Sequence, residues 1–197
     1  MTVKTKDFAE VLKDIPVDID EASRYCGAKN DRNTKNIISS CLDEAKSALS
    51  YKVCYAVFDI HIENDTVIFP FCELKSKDLS KNLAGLDTCV IFAATVGLEI
   101  DRLIKKYAAV SPAKSVVLGA IGAERIEKLC DVFADAIKSD FGETRPRFSP
   151  GYGDLPLSFQ REIFKVLQIN KNIGISLGEN LLMTPSKSVT AIIGVKK

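Results

Sequence analysis

The sequence predicts an α+β fold, because strand-like segments lie early and late in the chain and helical segments lie between them. The runs YKVCYAVFDIHIEN and TVIFPFCELKS flank Asn64-Asp65 and predict a β-hairpin. The run DTCVIFAATVG is apolar and rich in β-branched residues, which predicts a central strand. A long helical pattern then extends from Pro112 to about Asp140, with Ser111 as N-cap. This order is unlike the regular βαβ repeat of parallel sheets.

The N-terminal part, residues 1–50, is predicted to be helical. Asp18 can cap the helix IDEASRYCGA, which Gly27 closes, and Asn33 can cap the helix TKNIISSCLDEAKSALS. Residues 51–197 carry the sheet, the long helix and a glycine-rich loop, with a helical turn at LSKNLA and a helix from Leu98 to about Ala108. We expect residues 1–197 to form one domain.

The long helix carries a regular stripe whose members are spaced alternately four and three residues apart, which places them on one face. The stripe consists of Val116, Ala120, Ala123, Glu127, Cys130, Ala134 and Ile137. Glu127 is its one charged member. A carboxylate at such a position has a buried partner, lines a cleft, or lies at the edge of the stripe and reaches water.

The segment RFSPGYGDLPLSFQ, residues 147–160, connects the long helix to a helix that begins at Pro156. Pro150 fixes its own φ, and Gly151 and Gly153 permit a positive φ or a close backbone approach to a ligand. Arg147 offers a planar fork suited to a carboxylate, and Tyr152 offers a flat wall. The segment is therefore either a small-molecule site or a rigid surface turn. Two strand-like runs around Thr184-Pro185-Ser186 complete the chain.

Composition excludes several classes of function. The chain has 197 residues and a net charge of +1, which gives no electrostatic attraction to nucleic acid or to anionic lipid. Its first residues contain no apolar signal segment and no later run could span a membrane, so we expect a cytoplasmic protein. The six cysteines form no CxxC pair, which predicts small buried side chains, and His61 is the only histidine. These residues predict neither a metal site nor a catalytic nucleophile.

Two segments of the sequence resemble the activation domain of cobalamin-dependent methionine synthase, and more closely the small free-standing proteins that consist of this domain alone. The family pattern is an arginine, two further residues and Pro-Gly-Tyr, followed later by M-x-P-x-x-S-V. Here these elements are Arg147, residues 150–152, Met183, Pro185 and Ser188-Val189. The resemblance is strong over about residues 115–195. It implies a twisted antiparallel sheet with flanking helices.

The resemblance also implies a function. In that family the domain binds S-adenosylmethionine and faces a cobalamin-carrying module. Oxidised cob(II)alamin receives one electron from flavodoxin or a similar donor, and the sulfonium methyl group then traps the reduced cobalt. We therefore expect a reactivation subunit, a non-autonomous component of methionine synthase, whose partners are a cobalamin-binding subunit and an electron donor.

The resemblance assigns site residues by position. Arg147 matches the arginine that holds the carboxylate of S-adenosylmethionine, and Tyr152 matches the tyrosine beside the ligand. Ser149 lies where the loop backbone contacts the adenosyl part, and Gly151 belongs to the ligand-binding set as the glycine of the Pro-Gly-Tyr element. Glu127 aligns with an acidic residue that holds the polar groups of the ligand. Asp18 and Asp20 are candidates for a further acidic contact.

Two other functions stay open at the level of sequence. The chain could be a docking or scaffold module for another corrinoid methyltransferase, without binding S-adenosylmethionine. It could also be an independent enzyme that acts on a small anion through Arg147 and Glu127, although no nucleophile and base are suitably spaced. Retention of Arg147 and Tyr152 favours the reactivation subunit.

Overall fold

The computed structural model describes residues 2–28 and 31–196. The helices of this part of the chain are α1 (Ala9–Leu12), α2 (Ile19–Tyr25), α3 (Arg32–Ala48), α4 (Lys77–Asn82), α5 (Glu99–Val110), α6 (Pro112–Phe141), α7 (Gln160–Leu167) and α8 (Ile169–Ile173). The strands are β1 (Lys4–Asp7), β2 (Lys52–Asp59), β3 (His61–Glu63), β4 (Thr66–Phe69), β5 (Cys72–Lys75), β6 (Thr88–Thr95), β7 (Ser176–Leu177), β8 (Met183–Thr184) and β9 (Ser188–Val195). None of the helices in the described ranges is long and apolar enough to cross a membrane.

A four-stranded antiparallel sheet of order β1-β2-β6-β9 forms the centre of the structure. Every residue of β6 is buried, as expected of an apolar, β-branched strand with a partner on each side. β9 lies at one edge of this sheet and pairs with β6 from Ser188 to Val195. The smaller sheets have the orders β3-β4-β5 and β7-β8.

Each face of the central sheet packs against its own layer. Alternate residues of a strand point to opposite faces, so Ala191 and Ile193 of β9 join a core with α2, α3, α5 and α6, whereas Ile192 joins a core with α4, α7 and α8. The small sheet β3-β4-β5 also covers the second face. The α+β class, with an antiparallel sheet and flanking helices, is therefore confirmed.

The predicted hairpin is confirmed at its turn and more divided than expected in its arms. Asn64 and Asp65 have φ values of 49° and 62°, the left-handed conformation that two-residue hairpin loops require. The run before this turn is split at Ile60 into β2 and β3, which belong to different sheets. The run after it is split at Pro70 into β4 and β5. β1 was not predicted, because four exposed residues have no apolar alternation.

Two predictions for the helices need correction. Asp31 caps α3 by accepting from the backbone N–H of Thr34 at 2.7 Å, whereas Asn33 lies inside the helix. The stripe predicted on α6 is buried at Ala120, Cys130 and Ile137, but it reaches the surface at Val116, which is 57% exposed, and at Glu127, which is half-exposed. The centre of that face carries the larger residues Leu118, Ile121, Leu129 and Phe133. The cap of α2 by Asp18 is confirmed.

A buried ion pair lies within the packed face of α6. The side chains of Glu124 and Arg125 are each 2% exposed and form two hydrogen bonds, of 2.5 and 2.6 Å. Arg125 also donates to the backbone carbonyls of Ile15 and Pro16 at 2.9 and 3.0 Å. The pair therefore fastens the segment before α2 to the middle of α6.

Candidate functional site

A cleft of about 330 Å³ opens at the β9 edge of the central sheet, between α6 and α7. Its volume lies within the range of small-molecule sites in proteins. The loop between α6 and α7 forms one wall. The cleft is lined by Glu127, Arg147, Phe148, Ser149, Pro150, Tyr152, Gln160, Met183, Ser188, Val189 and Thr190.

Arg147 lies at the α6 side of the cleft, held between two carboxylates. Its Nη1 donates to Asp131 Oδ1 at 2.8 Å, and its Nη2 donates to Glu127 Oε2. Two of its five N–H groups are used in these bonds, which leaves donors for a ligand. Because one guanidinium faces two carboxylates, this cluster of Glu127, Asp131 and Arg147 has a formal charge of −1. It can accept a zwitterion through the arginine and an additional positive charge through the carboxylates.

The loop that carries Arg147 is fixed to the sheet at its beginning. Phe148 exchanges two backbone hydrogen bonds with Ile192 of β9, of 2.8 and 2.9 Å. Phe148, together with Thr144 opposite Val195, therefore extends the sheet beyond β9. This pairing places Ser149 and Pro150 next to the open edge of β9, over the cleft.

The loop is fixed at its other end by Asp154, which caps α4. Its carboxylate accepts from the Ser76 hydroxyl at 2.5 Å and from the backbone N–H groups of Lys77 and Asp78 at 2.8 and 3.2 Å. Chiefly the bond from Ser76, and then the two backbone bonds, lower the pKa of Asp154. This contact joins residues far apart in sequence, and a cap prediction based on neighbouring residues does not find it.

Between these two anchors the loop presents Tyr152 to solvent. Tyr152 is 69% exposed, and such exposure of a large aromatic ring at the mouth of a cleft suits contact with a ligand. Gly151 has a φ of +94°, as its predicted conformational role requires. A Cβ at Gly153 would lie 2.3 Å from Asp78 Oδ2, so this glycine permits the close approach of the loop to α4.

Two buried polar side chains lie at the α7 side of the cleft. Gln160 is 6% exposed and Thr190 is 2% exposed. Neither Gln160 Oε1 nor Thr190 Oγ1 has a hydrogen-bond partner within residues 2–28 and 31–196. Buried polar atoms without partners are rare in folded proteins, and they accord with a site for a polar ligand.

The structure brings four of the five predicted site residues into the lining of this cleft: Glu127, Arg147, Ser149 and Tyr152. Gly151 shapes the loop without lining the cleft. Sequence reasoning missed Asp131, although its position one helical turn after Glu127 is a usable signal, and it missed Gln160 and Thr190. Asp18 and Asp20 lie outside the lining: Asp18 caps α2, and Asp20 forms an ion pair with Lys35 at 2.5 Å.

The cysteines are packed in the core or partly covered. Cys41, Cys54, Cys89 and Cys130 are buried, and Cys26 and Cys72 are partly exposed. Burial raises the pKa of both Cys54 and Cys130 to about 12. In the described ranges, no group of three or more histidine, cysteine, aspartate and glutamate side chains could hold a metal ion.

Comparison with known proteins confirms the resemblance found in the sequence. The family model described as "Vitamin B12 dependent methionine synthase, activation domain" matches residues 132–197, which include the loop and β9. A solved structure, the crystal structure of the MetH reactivation domain bound to AdoHcy, superimposes with a TM-score of 0.73 at 16% sequence identity. The similarity covers 99% of this chain and 78% of that one, and it shows that the two share a fold. No curated protein sequence matches the chain.

Proposed function

We propose that this chain, with an activation-domain motif and fold, binds S-adenosylmethionine and supports the reductive methylation of cob(II)alamin on a cobalamin-dependent methionine synthase. The observation that carries the proposal is the cluster of Arg147, Glu127 and Asp131, whose members Arg147 and Glu127 line the same cleft as Tyr152. S-adenosylmethionine bears an ammonium, a sulfonium and a carboxylate, and therefore has a net charge of +1. The formal charge of −1 on the cluster complements it.

Each charged residue of the cluster would bind the ligand group of opposite charge. Arg147 offers its remaining N–H groups to the ligand carboxylate, while Glu127 and Asp131 neutralise the guanidinium and favour the two cationic groups. Tyr152 lies at the mouth, where its ring can cover the ligand and still leave the sulfonium methyl open to a partner. A site of this kind mainly positions its ligand.

A cobalamin held by the partner protein would supply the nucleophile once a reductant has delivered one electron. The methyl carbon would pass from sulfur to the cobalt of that cobalamin, and S-adenosylhomocysteine would keep the electron pair of the broken carbon–sulfur bond. The contribution of this chain is to hold the sulfonium in an exposed cleft facing that partner. No side chain of the cleft is required as an acid or a base, because the transfer moves no proton.

Isothermal titration calorimetry tests the binding half of the proposal. Wild-type protein should bind S-adenosylmethionine, and Arg147→Ala should weaken binding about 10–100-fold, because a charge-assisted hydrogen bond contributes about 1.5–3 kcal/mol. Arg102→Ala is the matched control. Arg102 also pairs with a carboxylate, Glu99, but lies on α5 outside the cleft. Equal affinity of wild type and Arg147→Ala would contradict the proposal.

A reactivation assay tests the partner half. A methionine synthase lacking its own activation domain, poised as cob(II)alamin, is mixed with this chain, S-adenosylmethionine and a one-electron reductant. The cob(II)alamin absorbance should disappear and methionine formation should resume, with wild type and not with Arg147→Ala. Reactivation without S-adenosylmethionine binding would favour the docking-module alternative.

A further inference from the structure

The α7 side of the cleft contains polar groups that the charged cluster does not explain. Gln160 is the first residue of α7, and Thr190 is the third residue of β9. Both line the cleft, both are more than nine-tenths buried, and each has a polar atom without a partner among the described residues. Leaving a buried acceptor unpaired destabilises a fold unless another group, such as a ligand, satisfies it.

The sheet separates these two residues from the charged cluster. Thr190 lies two residues from Ile192, so its side chain points to the same face as Ile192, toward α7. Glu127 and Asp131 belong to α6, which packs on the opposite face. A ligand held by Arg147 must therefore pass around the edge of β9 to reach Gln160. The cleft has a charged end and an uncharged polar end.

The open edge of β9 leaves room for such a ligand. Phe148 pairs with Ile192, so the next antiparallel pair would place Pro150 opposite Thr190. Pro150 has no N–H group and cannot continue the ladder of backbone hydrogen bonds. The edge beside Thr190 is therefore not closed by the loop.

We propose that Gln160 recognises the purine base of the nucleoside ligand, with Thr190 as a second hydrogen-bonding group at the same end; this inference rests on the function proposed above. A carboxamide offers a donor and an acceptor side by side, which matches the exocyclic amine and the neighbouring ring nitrogen of adenine. Met183, which packs with the core on the α7 face, supplies apolar surface for one face of the base.

The amino-acid part of the ligand does not fit this end of the cleft. Its ammonium and carboxylate need opposite charges, and the charged residues of the lining are Glu127 and Arg147, at the α6 side. The lining residues at the α7 end, Gln160, Met183, Ser188 and Thr190, are uncharged. Ribose hydroxyls could also use a carboxamide, so the test separates the base from the sugar.

Calorimetry with four ligands, in three arms, tests the inference. The ligands are S-adenosylhomocysteine, its analogue with an unsubstituted purine in place of adenine, and its 2′-deoxy and 3′-deoxy analogues taken as one arm. For the wild type, removal of the exocyclic amine should weaken binding about 10-fold. Gln160→Met keeps the length of the side chain. This variant should bind S-adenosylhomocysteine and its unsubstituted-purine analogue with affinities equal within about 2-fold.

Stability measurements distinguish a ligand-reading residue from one that only supports the fold. Gln160→Met should keep or raise the melting midpoint of the free protein while it lowers affinity, because it removes an unpartnered buried group. Thr190→Val should likewise keep the melting midpoint and lower the affinity, whereas Thr190→Ser, which keeps the hydroxyl, should bind the ligand as tightly as the wild type does. Ser80→Ala is the matched control, because Ser80 is also buried with an unpartnered hydroxyl but lies on α4 outside the cleft.

The outcomes separate the two proposals. If the wild type binds none of these ligands and no S-adenosylmethionine, the proposed function fails and the inference fails with it. If the wild type binds and Gln160→Met retains the full preference for adenine over unsubstituted purine, the inference alone is overturned. The inference is also overturned if Gln160→Met no longer distinguishes S-adenosylhomocysteine from its deoxy analogues but still prefers it to the unsubstituted-purine analogue. Gln160 would then contact the ribose and not the base.

Discussion

The replacement of Arg125 by methionine gives the sharpest test of the packing that supports the site. Arg125 makes two hydrogen bonds to Glu124 and one each to the carbonyls of Ile15 and Pro16. In Arg125→Met these bonds are lost, and the buried Glu124 keeps, among residues 2–28 and 31–196, one hydrogen-bond donor, the Asp18 N–H at 3.3 Å. Removal of one partner from a buried pair costs about 3–5 kcal/mol.

That loss of unfolding free energy is large enough to measure in two ways. For a chain of this size each kcal/mol lowers the melting midpoint by about 2–4 °C, so calorimetry should give a decrease of about 6–20 °C. Urea unfolding should show a lower midpoint concentration at unchanged slope. Arg102→Met, which breaks the exposed pair with Glu99, should lose less than about 1 kcal/mol.

The double variant Glu124→Met/Arg125→Met decides whether the buried charge is the cause. It removes both charges and should recover much of the stability lost in Arg125→Met, although the carbonyls of Ile15 and Pro16 stay unpaired. A single variant that loses less than about 1 kcal/mol would refute the reasoning. A double variant less stable than the single one would refute it as well.

Three further perturbations test the site and its supports. Asp131 is 59% exposed, so at about 6 Å its charge contributes only about 0.7–1.4 kcal/mol to the binding of a cationic ligand group. Asp131→Asn should therefore lower the preference for S-adenosylmethionine over S-adenosylhomocysteine, measured by calorimetry, about 3–10-fold. An unchanged preference contradicts the charge argument. Because the pKa of Asp154 is lowered in the folded protein, its carboxylate stabilises the fold at pH values above the ordinary aspartate pKa of about 3.9. This stabilisation disappears as the pH falls through the pKa of the folded protein, so the difference in melting midpoint between wild type and Asp154→Asn should shrink below about pH 4. A difference that stays constant with pH would assign the effect to shape. Burial raises the pKa of Cys54 and Cys130 to about 12, so at pH 8 iodoacetamide should label them only after unfolding, as read by mass spectrometry.

The sequence alone was sufficient for the parts of the site that have a local signature. Proline and glycine at fixed spacing restrict the backbone itself, so the special nature of residues 147–153 could be inferred without knowing what surrounds them. Glu127 stood out because it interrupts an apolar stripe at a helical period. Its contact with Arg147 then followed from the fold, which places the end of α6 beside the loop.

The residues that were missed depend on long-range packing. Gln160 is one polar residue at the start of an amphipathic helix, and nothing in its neighbours indicates that it is buried against the edge of β9. Glu124 and Arg125 are adjacent charges, a common surface pattern on helices. Their burial is imposed by the segment before α2, whose carbonyl groups Arg125 satisfies. Periodicity identifies a face, but not which side chains reach its centre.

The two anchors of the loop explain why it contains so many conformationally restricted residues. One end is paired to β9 through Phe148, and the other caps α4 through Asp154, so Ser149 to Gly153 are held over the cleft before any ligand arrives. Ordering a flexible loop on binding would cost about 1–2 kcal/mol for each residue fixed, and that cost is already met by folding. For the function proposed above, in which a reactive sulfonium is offered to a second protein, this preformed loop has two advantages. The ligand binds without ordering the loop, and the surface that the partner meets is already formed.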